Sequence, residues 1–421
     1  MAAPTSYTFY GVVEDPFIND FITVDPEAFG YAAGQRITGS LTLSGQAALI
    51  WAGLPEAERI FSTAISPDIE FFFEQVTTGN WTQDDFATTQ EGSPAVLSLL
   101  SSDDQRPLDQ LRATLFHSDD PDGPTLRLDQ MEFGGAQLTN DDSRSAFVYG
   151  AWVPSGVTPN LVYGTADEDR LVLRGELTLA WGGLGEDVIR VRDGEGFVWG
   201  QQGDDRLVGN RGRDLLFGGF GDDTISGAGG ADFLSGDYGD DTISGGAGDD
   251  RVDGGLGNDL IRGDGGRDIL DAGGGVDKVF GGSGNDVIFS GTGQFDENFE
   301  LERSISHGGS GNDVIYARFD AILTGGSGAD LFVLGNPSGT LDNLGGLSVT
   351  DFRPGVDDLV IYAGESGQYD TFEEIIARGQ QMGDDVVFDF FPTSTKDLPS
   401  LVLEDVRKSQ LTAGDFLFGD F

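Results

Sequence analysis

Residues 245–262 read GGAGDDRVD followed by GGLGNDLIR, which are two consecutive copies of a nine-residue unit. The unit has the pattern G-G-x-G-x-D-x-U-x, where U is a large aliphatic residue, and it repeats twelve times without losing phase over residues 182–289. Self-similarity at a fixed period is typical of solenoids, in which each repeat stacks on its neighbours. The sequence therefore predicts a stacked column of repeats, and the rest of the chain precedes, interrupts or closes it.

The composition favours cations as ligands. The 421 residues include 72 Asp and Glu against 24 Lys and Arg, so the formal net charge is -48, and there are 66 Gly and no Cys. This charge argues against nucleic acid and anionic membranes as partners, and the lack of Cys argues against a disulfide-stapled module or a zinc protein. An acidic, glycine-rich composition is also typical of a disordered linker, but a strict phase and an obligate aliphatic position are not features of linkers.

The sequence predicts an all-β chain in four parts. Residues 1–153 carry short apolar or alternating runs separated by turn residues, which favour an antiparallel β-sandwich-like domain, with one helix over residues 54–61. Turn formers in 154–163 indicate a linker. Residues 164–334 hold the repeats, and 335–421 read as a mostly-β cap that covers the open apolar end of the column. Residues 290–307 depart from the pattern but keep its phase, so we expect one degenerate turn still stacked there.

The first part discloses no chemistry. The chain contains no H-E-x-x-H zinc-protease motif and no G-x-S-x-G nucleophile elbow, and the Gly-Gly-Ser-Gly strings that begin at residues 281, 308 and 325 belong to the repeat. His117 is the only histidine of this part, and a lone histidine near a strand end is more often packed or solvated than catalytic. A pair of carboxylates for glycoside hydrolysis stays open, because the spatial separation of the many acids is not readable from sequence.

Each unit divides into a turn of six residues and a strand of three. Gly at positions one, two and four permits positive φ and close approach of neighbouring backbones. The aliphatic residue at position eight points inward, and two units make one turn. The stacked turns form two parallel sheets, in which neighbouring strands lie about 4.8 Å apart along the axis. Asp side chains at position six are then stacked and repel one another. A cation that binds only the folded form must offset this repulsion.

Calcium fits the ligands on offer better than other cations. Each turn presents a carboxylate at position six and freed carbonyls at the glycines, and Ca²⁺ accepts six to eight such oxygens. Zn²⁺ prefers Cys or His, and Mg²⁺ holds its water, so both fit less well. We expect ions between turns on one edge, with Asp205 and Asp223 on one edge and Asp214 and Asp232 on the other. The predicted metal ligands are the position-six carboxylates Asp169, Asp187, Asp205, Asp214, Asp223, Asp232, Asp241, Asp250, Asp259, Asp268, Asp277, Asp286, Asp313 and Asp330, and the position-four carbonyls of Gly203, Gly212, Gly221, Gly230, Gly239, Gly248, Gly257, Gly266, Gly275, Gly284, Gly311 and Gly328. Phe295, Ser304 and Gly196 stand at position six without a carboxylate.

Over residues 164–333 the sequence resembles the RTX (repeats-in-toxin) calcium-binding proteins exported by Gram-negative bacteria, because the nonapeptide matches their repeat. The tail resembles the serralysin-like carboxy-terminal cap of that family, whose pattern V/I-x-D-F-x-x-G-x-D-x-I/L is matched by Val349, Asp351, Phe352, Gly355, Asp357 and Leu359. The terminal residues 415–418 are similar to the uncleaved type I secretion signal of such proteins.

This resemblance implies a right-handed parallel β-roll that binds several Ca²⁺ ions and a secreted, extracellular protein that uses the type I secretion machinery. It also implies a repeat that is unfolded in the low-calcium cytoplasm and folds outside the cell. Met1–Phe9 lacks a basic and an apolar region, so we expect no amino-terminal signal peptide, and no apolar run is long enough for a membrane span. We expect a non-enzymatic protein whose residues 1–153 bind a cell-surface, matrix or glycan ligand. The alternative is a secreted hydrolase with that domain as its catalytic module.

Overall fold

The computed structural model divides the chain into two compact units, Met1–Pro159 and Asn160–Phe421. It describes the backbone of the strands in the first unit. It also describes residues 158–159 at the end of that unit. In the second unit it describes residues 160–291, 303–317, 320–335, 346–361, 371–388 and 401–417, together with the backbone of two short strands at 294–295 and 301–302. The boundary between the units falls inside 154–163, the segment interpreted as a linker.

The first unit consists of antiparallel strands, as the sequence predicts. The strands are β1 (Thr5–Val13), β2 (Arg36–Leu43), β3 (Ile60–Ser62), β4 (Ile69–Gln75), β5 (Phe86–Ala87), β6 (Val96–Leu99), β7 (Gln110–Thr114), β8 (Thr125–Arg127), β9 (Ala136–Thr139) and β10 (Ser145–Pro154). Eight of them form one sheet in the order β4-β2-β1-β10-β9-β7-β6-β5, and β3 pairs with β8. The packing of the two sheets as a sandwich stays a prediction.

The prediction of a helix over residues 54–61 is wrong for its last two residues. Ile60 and Phe61 lie in β3 and pair antiparallel with Arg127 and Leu126, while residues 54–59 lie outside the described residues. The competing signal is local, because Ile60 and Phe61 are a β-branched and an aromatic residue, and both favour a strand once a partner is present. The role of this unit stays a prediction.

The second unit forms a parallel β-solenoid over residues 160–334, and its carboxy-terminal segment adds parallel strands to the solenoid as well as the antiparallel strands at 379–382, 385–388 and 401–403. Its strands are β11 (Asn160–Tyr163), β12 (Arg170–Leu173), β13 (Leu177–Leu184), β14 (Val188–Val191), β15 (Glu195–Gln202), β16 (Arg206–Val208), β17 (Leu215–Phe220), β18 (Thr224–Gly229), β19 (Phe233–Tyr238), β20 (Thr242–Ala247), β21 (Arg251–Asp253), β22 (Leu260–Gly265), β23 (Ile269–Asp271), β24 (Lys278–Ser283), β25 (Val287–Phe289), β26 (Gln294–Phe295), β27 (Leu301–Glu302), β28 (Ser304–Ser310), β29 (Val314–Ala317), β30 (Ala321–Ser327), β31 (Leu331–Leu334), β32 (Leu347–Val349), β33 (Asp358–Ile361), β34 (Gly379–Met382), β35 (Asp385–Phe388), β36 (Leu401–Leu403) and β37 (Phe416–Leu417). One sheet has the order β11-β13-β15-β17-β19-β21-β23-β25-β29-β31-β33-β37, and the other β12-β14-β16-β18-β20-β22-β24-β28-β30-β32-β36-β35-β34. The fold class predicted from the repeat is confirmed.

The register of the sheets follows the repeat. Thr224 pairs with Thr242 and Ile225 with Ile243, so each strand lies beside the strand two units further along the chain. The aliphatic residues at position eight stack into a single buried column, and all of them are at most 1 % exposed: Leu207, Leu216, Ile225, Leu234, Ile243, Val252, Ile261, Leu270, Val279 and Ile288. Because each short strand buries one such side chain, the core is thin and the turns at both edges carry much of the structure.

The prediction of a degenerate stacked turn over residues 290–307 is wrong. Val279 pairs with Ser306, a step of 306 − 279 = 27 residues where the regular step is 18. The segment therefore contains nine residues more than a regular step, and it forms the antiparallel pair β26–β27 before β28 continues the column. Position eight of the unit at residues 290–298 is Glu297, which would place a charge in the aliphatic column. Ser306, the next residue in that position, is small enough to be buried there.

The last strands of both sheets come from the carboxy-terminal segment. Leu359 and Val360 of β33 pair with Phe416 and Leu417 of β37, and β32 pairs with β36. Helix α1 (Phe372–Arg378) begins after Thr371, whose side chain accepts a hydrogen bond from the amide of Glu374. Nowhere in the described part of the chain is there a helix long and apolar enough to cross a membrane.

Candidate metal sites

The position-six aspartates form one ladder along each edge of the solenoid. On one edge the amide of Asp205 donates to Asp223 Oδ1 at 2.7 Å, and on the other the amide of Asp214 donates to Asp232 Oδ1 at 2.8 Å. The same bond links each position-six amide to the next position-six side chain on its edge, from Asp169 to Asp277 and from Gly196 to Asp330. The assignment of aspartates to the two edges therefore agrees with the prediction, and one oxygen of each carboxylate is used by the fold itself.

The second oxygen of most of these carboxylates is buried without a partner. Among the described residues, eleven position-six aspartates have an Oδ2 atom with no hydrogen-bond partner: Asp187, Asp205, Asp223, Asp232, Asp241, Asp250, Asp259, Asp268, Asp277, Asp286 and Asp313. Each of these residues is at most 3 % exposed. An unpaired buried carboxylate oxygen is costly, because burial removes the water that would otherwise solvate its charge.

The backbone conformation at position two determines whether the amide of that residue donates a hydrogen bond to Oδ2 of the same unit. In each of the eleven units just described, position two has positive φ, even where it is not glycine, as at Gln201, Ala228, Asp237 and Asp264. In the units of Asp169 and Asp214, position two is Thr165 and Asn210, neither of which has positive φ, and the amide of each donates to Oδ2 of its own unit at 2.7 Å. The amide of Arg353, which also lacks positive φ, donates to Asp357 Oδ2 at 2.7 Å in the same way. A positive φ at position two therefore goes with an Oδ2 that receives no amide from its own unit, and this includes Asp330, whose position-two residue is Gly326 and whose Oδ2 is paired from another unit.

Backbone carbonyls surround the same space. A Cβ atom placed on Gly200, at position one, would lie 2.2 Å from Asp205 Oδ2 and 2.5 Å from the carbonyl oxygen of Gly218, which is position one of the next turn. At position four, a Cβ on Gly248 would lie 1.5 Å from the carbonyl oxygen of Gly230 in the preceding turn. Glycine is thus required at Gly200 and Gly248, because carboxylate and carbonyl oxygens approach the backbone there too closely for a side chain, although position one admits Ala272 in another unit.

Burial raises the pKa of these carboxyl groups. For Asp223 the pKa rises to about 9, mainly because burial disfavours the charged form, and neighbouring Asp205 and Asp241 raise it further while the amide of Asp205 lowers it. The pKa of Asp232 and of Asp241 rises to about 8, again chiefly through burial. Of these three, only Asp232 has a basic group of the described residues nearby, Arg213, which lowers its pKa without offsetting the effect of burial, so the sites favour either a proton or a cation.

The oxygens present fit a hard divalent cation. No three His, Cys, Asp or Glu side chains of the described residues come together as a metal cluster, so a bound ion would take one or two carboxylates and complete its shell with peptide carbonyls. Ca²⁺ accepts six to eight oxygens in flexible geometry and uses carbonyls readily, whereas Zn²⁺ would seek Cys or His. The unpartnered Oδ2 atoms and the position-four carbonyls are therefore the groups that would hold Ca²⁺.

Several position-six residues differ from the eleven. Asp169 and Asp214 have Oδ2 occupied by an amide, as described above, and Asp330 Oδ2 accepts from the guanidinium of Arg353 at 3.1 Å. Ser304 takes the place of Asp, and its Oγ accepts from the amide of Asp277 at 3.1 Å. The assignment of Asp169, Asp214 and Asp330 as metal ligands stays a prediction, as does that of the remaining aspartates and glycines.

The repeat pattern does not identify Asp357 as a position-six carboxylate. The amide of Asp330 donates to Asp357 Oδ1 at 3.1 Å, so Asp357 continues the ladder of its edge. In this register Phe352, Arg353, Gly355, Asp357 and Leu359 stand at positions one, two, four, six and eight of a further unit. The spacing G-x-D-x-L was the available signal, and the lost glycines at positions one and two concealed it.

An isosteric substitution at one site tests position six against the neighbouring position five. We expect Asp223→Asn to lower the number of bound calcium ions by at least one in native mass spectrometry of the full chain, because it removes the unpaired anionic oxygen. The control is Asp222→Asn at position five, whose side chain is exposed and whose Oδ1 accepts from the amide of Asp240 at 2.9 Å. Equal ion counts for the two variants would contradict the assignment.

Comparison with known proteins gives one family match. The model of the RTX calcium-binding nonapeptide repeat matches four times, at residues 199–234, 226–261, 262–294 and 305–336. No curated protein matches. Among solved structures, the extracellular lipase LipA from Serratia marcescens matches at 18 % identity with a TM-score of 0.21, and the match covers 54 % of this chain and 40 % of the lipase chain. A similarity this weak supports no inference about activity. The described geometry and the repeat match agree, and the chain carries RTX calcium-binding nonapeptide repeats folded as a parallel β-solenoid.

Proposed function

We propose that this chain is an exported calcium-binding protein whose solenoid folds when Ca²⁺ binds outside the cell. In the cytoplasm, where calcium is scarce, the chain would stay unfolded and pass through the type I secretion machinery. Outside, Ca²⁺ would neutralise the stacked aspartates and the repeats would assemble. The first unit would be the part that is delivered.

The observation that carries the proposal is the row of eleven buried aspartates with an unpartnered Oδ2. A fold that buries so many carboxylates opposes its own assembly unless a cation binds the folded form alone. Such binding adds its free energy to folding, so that cation binding and folding become one event. The oxygen ligands favour Ca²⁺ as that cation. Extracellular calcium modules bind Ca²⁺ at about 10⁻⁴ to 10⁻³ M, a range that suits a protein that folds outside the cell.

The carboxy-terminal residues are consistent with export of an unfolded chain. Asp415 is 1 % exposed, and its side chain accepts hydrogen bonds from the amide of Gly355 and from Thr412. Phe416 is 3 % exposed and pairs in β37 with Leu359. A secretion signal that includes these residues would be readable in the unfolded chain and covered after folding.

A calcium titration of the full chain tests the proposal. We expect the β-sheet signal in circular dichroism to rise cooperatively at millimolar CaCl₂ and to fall again when EGTA is added. The control is MgCl₂ at equal ionic strength, which we expect to give little change because Mg²⁺ requires near-ideal octahedral geometry. An equal response to Mg²⁺, or no response to Ca²⁺, would contradict it.

A further inference from the structure

The last turn of the solenoid differs from the others in its charge. Asp330 and Asp357 are consecutive position-six residues on one edge, with side chains 0 % and 1 % exposed. Next to both of them stands Arg353, which occupies position two of the Asp357 unit, a place that is glycine in the consensus. In the eleven sites with an unpartnered oxygen, no basic group of the described residues reaches Oδ2.

The guanidinium of Arg353 contacts the groups that would hold an ion in other turns. Its Nη2 donates to Asp330 Oδ2 at 3.1 Å, to the position-four carbonyl oxygen of Gly328 at 2.7 Å and to Asp357 Oδ1 at 2.7 Å, while its Nε donates to Asp357 Oδ2 at 3.0 Å. The contacts therefore join a carbonyl and a carboxylate of one turn to the carboxylate of the next. A surface ion pair would join two side chains only.

Building on the proposed function, we infer that Arg353 is a tethered cation that replaces Ca²⁺ between the turns of Asp330 and Asp357. A planar guanidinium with several fixed donors can bind two carboxylates and a carbonyl at once, which an ammonium does less well. The charge is part of the chain, so this turn needs no calcium to be neutralised. The last turn and the strands that follow it would then form the calcium-independent end of the solenoid.

Neighbouring contacts support a self-sufficient last turn. Asp351, two residues before Arg353, accepts from the amides of Gly325 and Gly326 at 2.8 and 2.7 Å. These amides belong to positions one and two of the last glycine-rich unit. Phe352 is 4 % exposed and packs on Phe332, with ring centroids 6.3 Å apart. In this segment the side chains of Phe352 and Arg353 thus stand at positions one and two, which are glycine in the consensus unit.

The number of bound ions tests the inference. We expect Arg353→Gly, which restores the consensus residue, to bind one calcium ion more per full chain than the wild type in native mass spectrometry. Arg353→Lys retains the charge and should keep the wild-type number. The matched control is Arg267→Gly, which removes an exposed arginine whose Nη2 lies 3.8 Å from Asp249 Oδ2 and should leave the number unchanged.

A second measurement does not depend on the folding of a variant. In the calcium-free wild type, hydrogen exchange should show protected amides at Asp330 and Asp358, which donate to Asp357 Oδ1 and to the carbonyl of Asp330. Central amides such as that of Asp223 should exchange fast. An unchanged ion number in Arg353→Gly, or uniformly fast exchange in the wild type, would overturn the inference. A wild type that binds no calcium at all would instead overturn the proposed function.

Discussion

Replacing Gly266 by alanine is expected to destabilise the calcium-bound chain by more than about 4 kcal/mol, a loss beyond the usual range for a single substitution. Gly266 stands at position four with φ of +139°, and a Cβ there would lie 1.8 Å from the carbonyl oxygen of Gly248. Because every one of the nearest atoms is a backbone atom of the preceding turn, the methyl group could be admitted only if the backbone moved. We expect a higher calcium midpoint and a lower melting temperature.

The adjacent residue provides the control for this prediction. Gly265, at position three, has no positive φ, and a Cβ there would lie 3.3 Å from Ser283 Oγ. Its partner in the preceding turn is already an alanine, Ala247. Gly265→Ala should therefore change the melting temperature little. Comparable losses for the two variants would contradict the view that the glycines at position four are required by carbonyl approach.

Acidification should fold the calcium-free chain. Burial raises the pKa of Asp223 to about 9 and that of Asp205 and Asp277 to about 7, so the folded form binds protons that the unfolded form has lost. A group whose pKa is higher in the folded state stabilises the fold below its unfolded pKa and loses that contribution as the pH rises through its folded pKa. The calcium-free solenoid should thus lose stability between about pH 4 and pH 9 as it is made more alkaline.

The measurement is circular dichroism of the decalcified full chain at pH 5.5 and pH 8.5, both above its isoelectric point of about 4.1. We expect more β structure at pH 5.5. With saturating calcium the dependence should reverse, since protons compete with Ca²⁺ for the same oxygens. Asp223→Asn should weaken the acid response. A calcium-free chain with equal or greater β content at pH 8.5 would show that the buried carboxylates do not control folding.

Much of the solenoid could be predicted from the sequence because every unit repeats the same constraints. The aliphatic residue at position eight, the glycines and the phase fix the register of both sheets, and the pairing of Ile225 with Ile243 follows from them. The two edges could also be predicted, since Asp205 and Asp223 are two units apart and meet in one ladder.

Other features depend on the conformation of single residues. Whether Oδ2 accepts the position-two amide of its own unit depends on φ at that position, and the sequence does not reveal that Gln201 and Ala228 adopt positive φ while Asn210 does not. The departure at residues 290–307 kept the phase of the repeat, so counting could not distinguish a stacked turn from an inserted strand pair. Asp357 was hidden because Phe352 and Arg353 replace the glycines by which a unit is recognised.

The central claim is that the unpartnered Oδ2 atoms of the eleven aspartates hold Ca²⁺. The most direct test is a crystal structure of the calcium-bound chain with an anomalous difference map at a wavelength where calcium scatters anomalously. We predict peaks between turns next to the Oδ2 atoms of residues such as Asp223 and Asp241, and none beside Asp330, where Arg353 already donates. Peaks confined to exposed position-five carboxylates such as Asp222, or no peaks along the solenoid, would contradict the account.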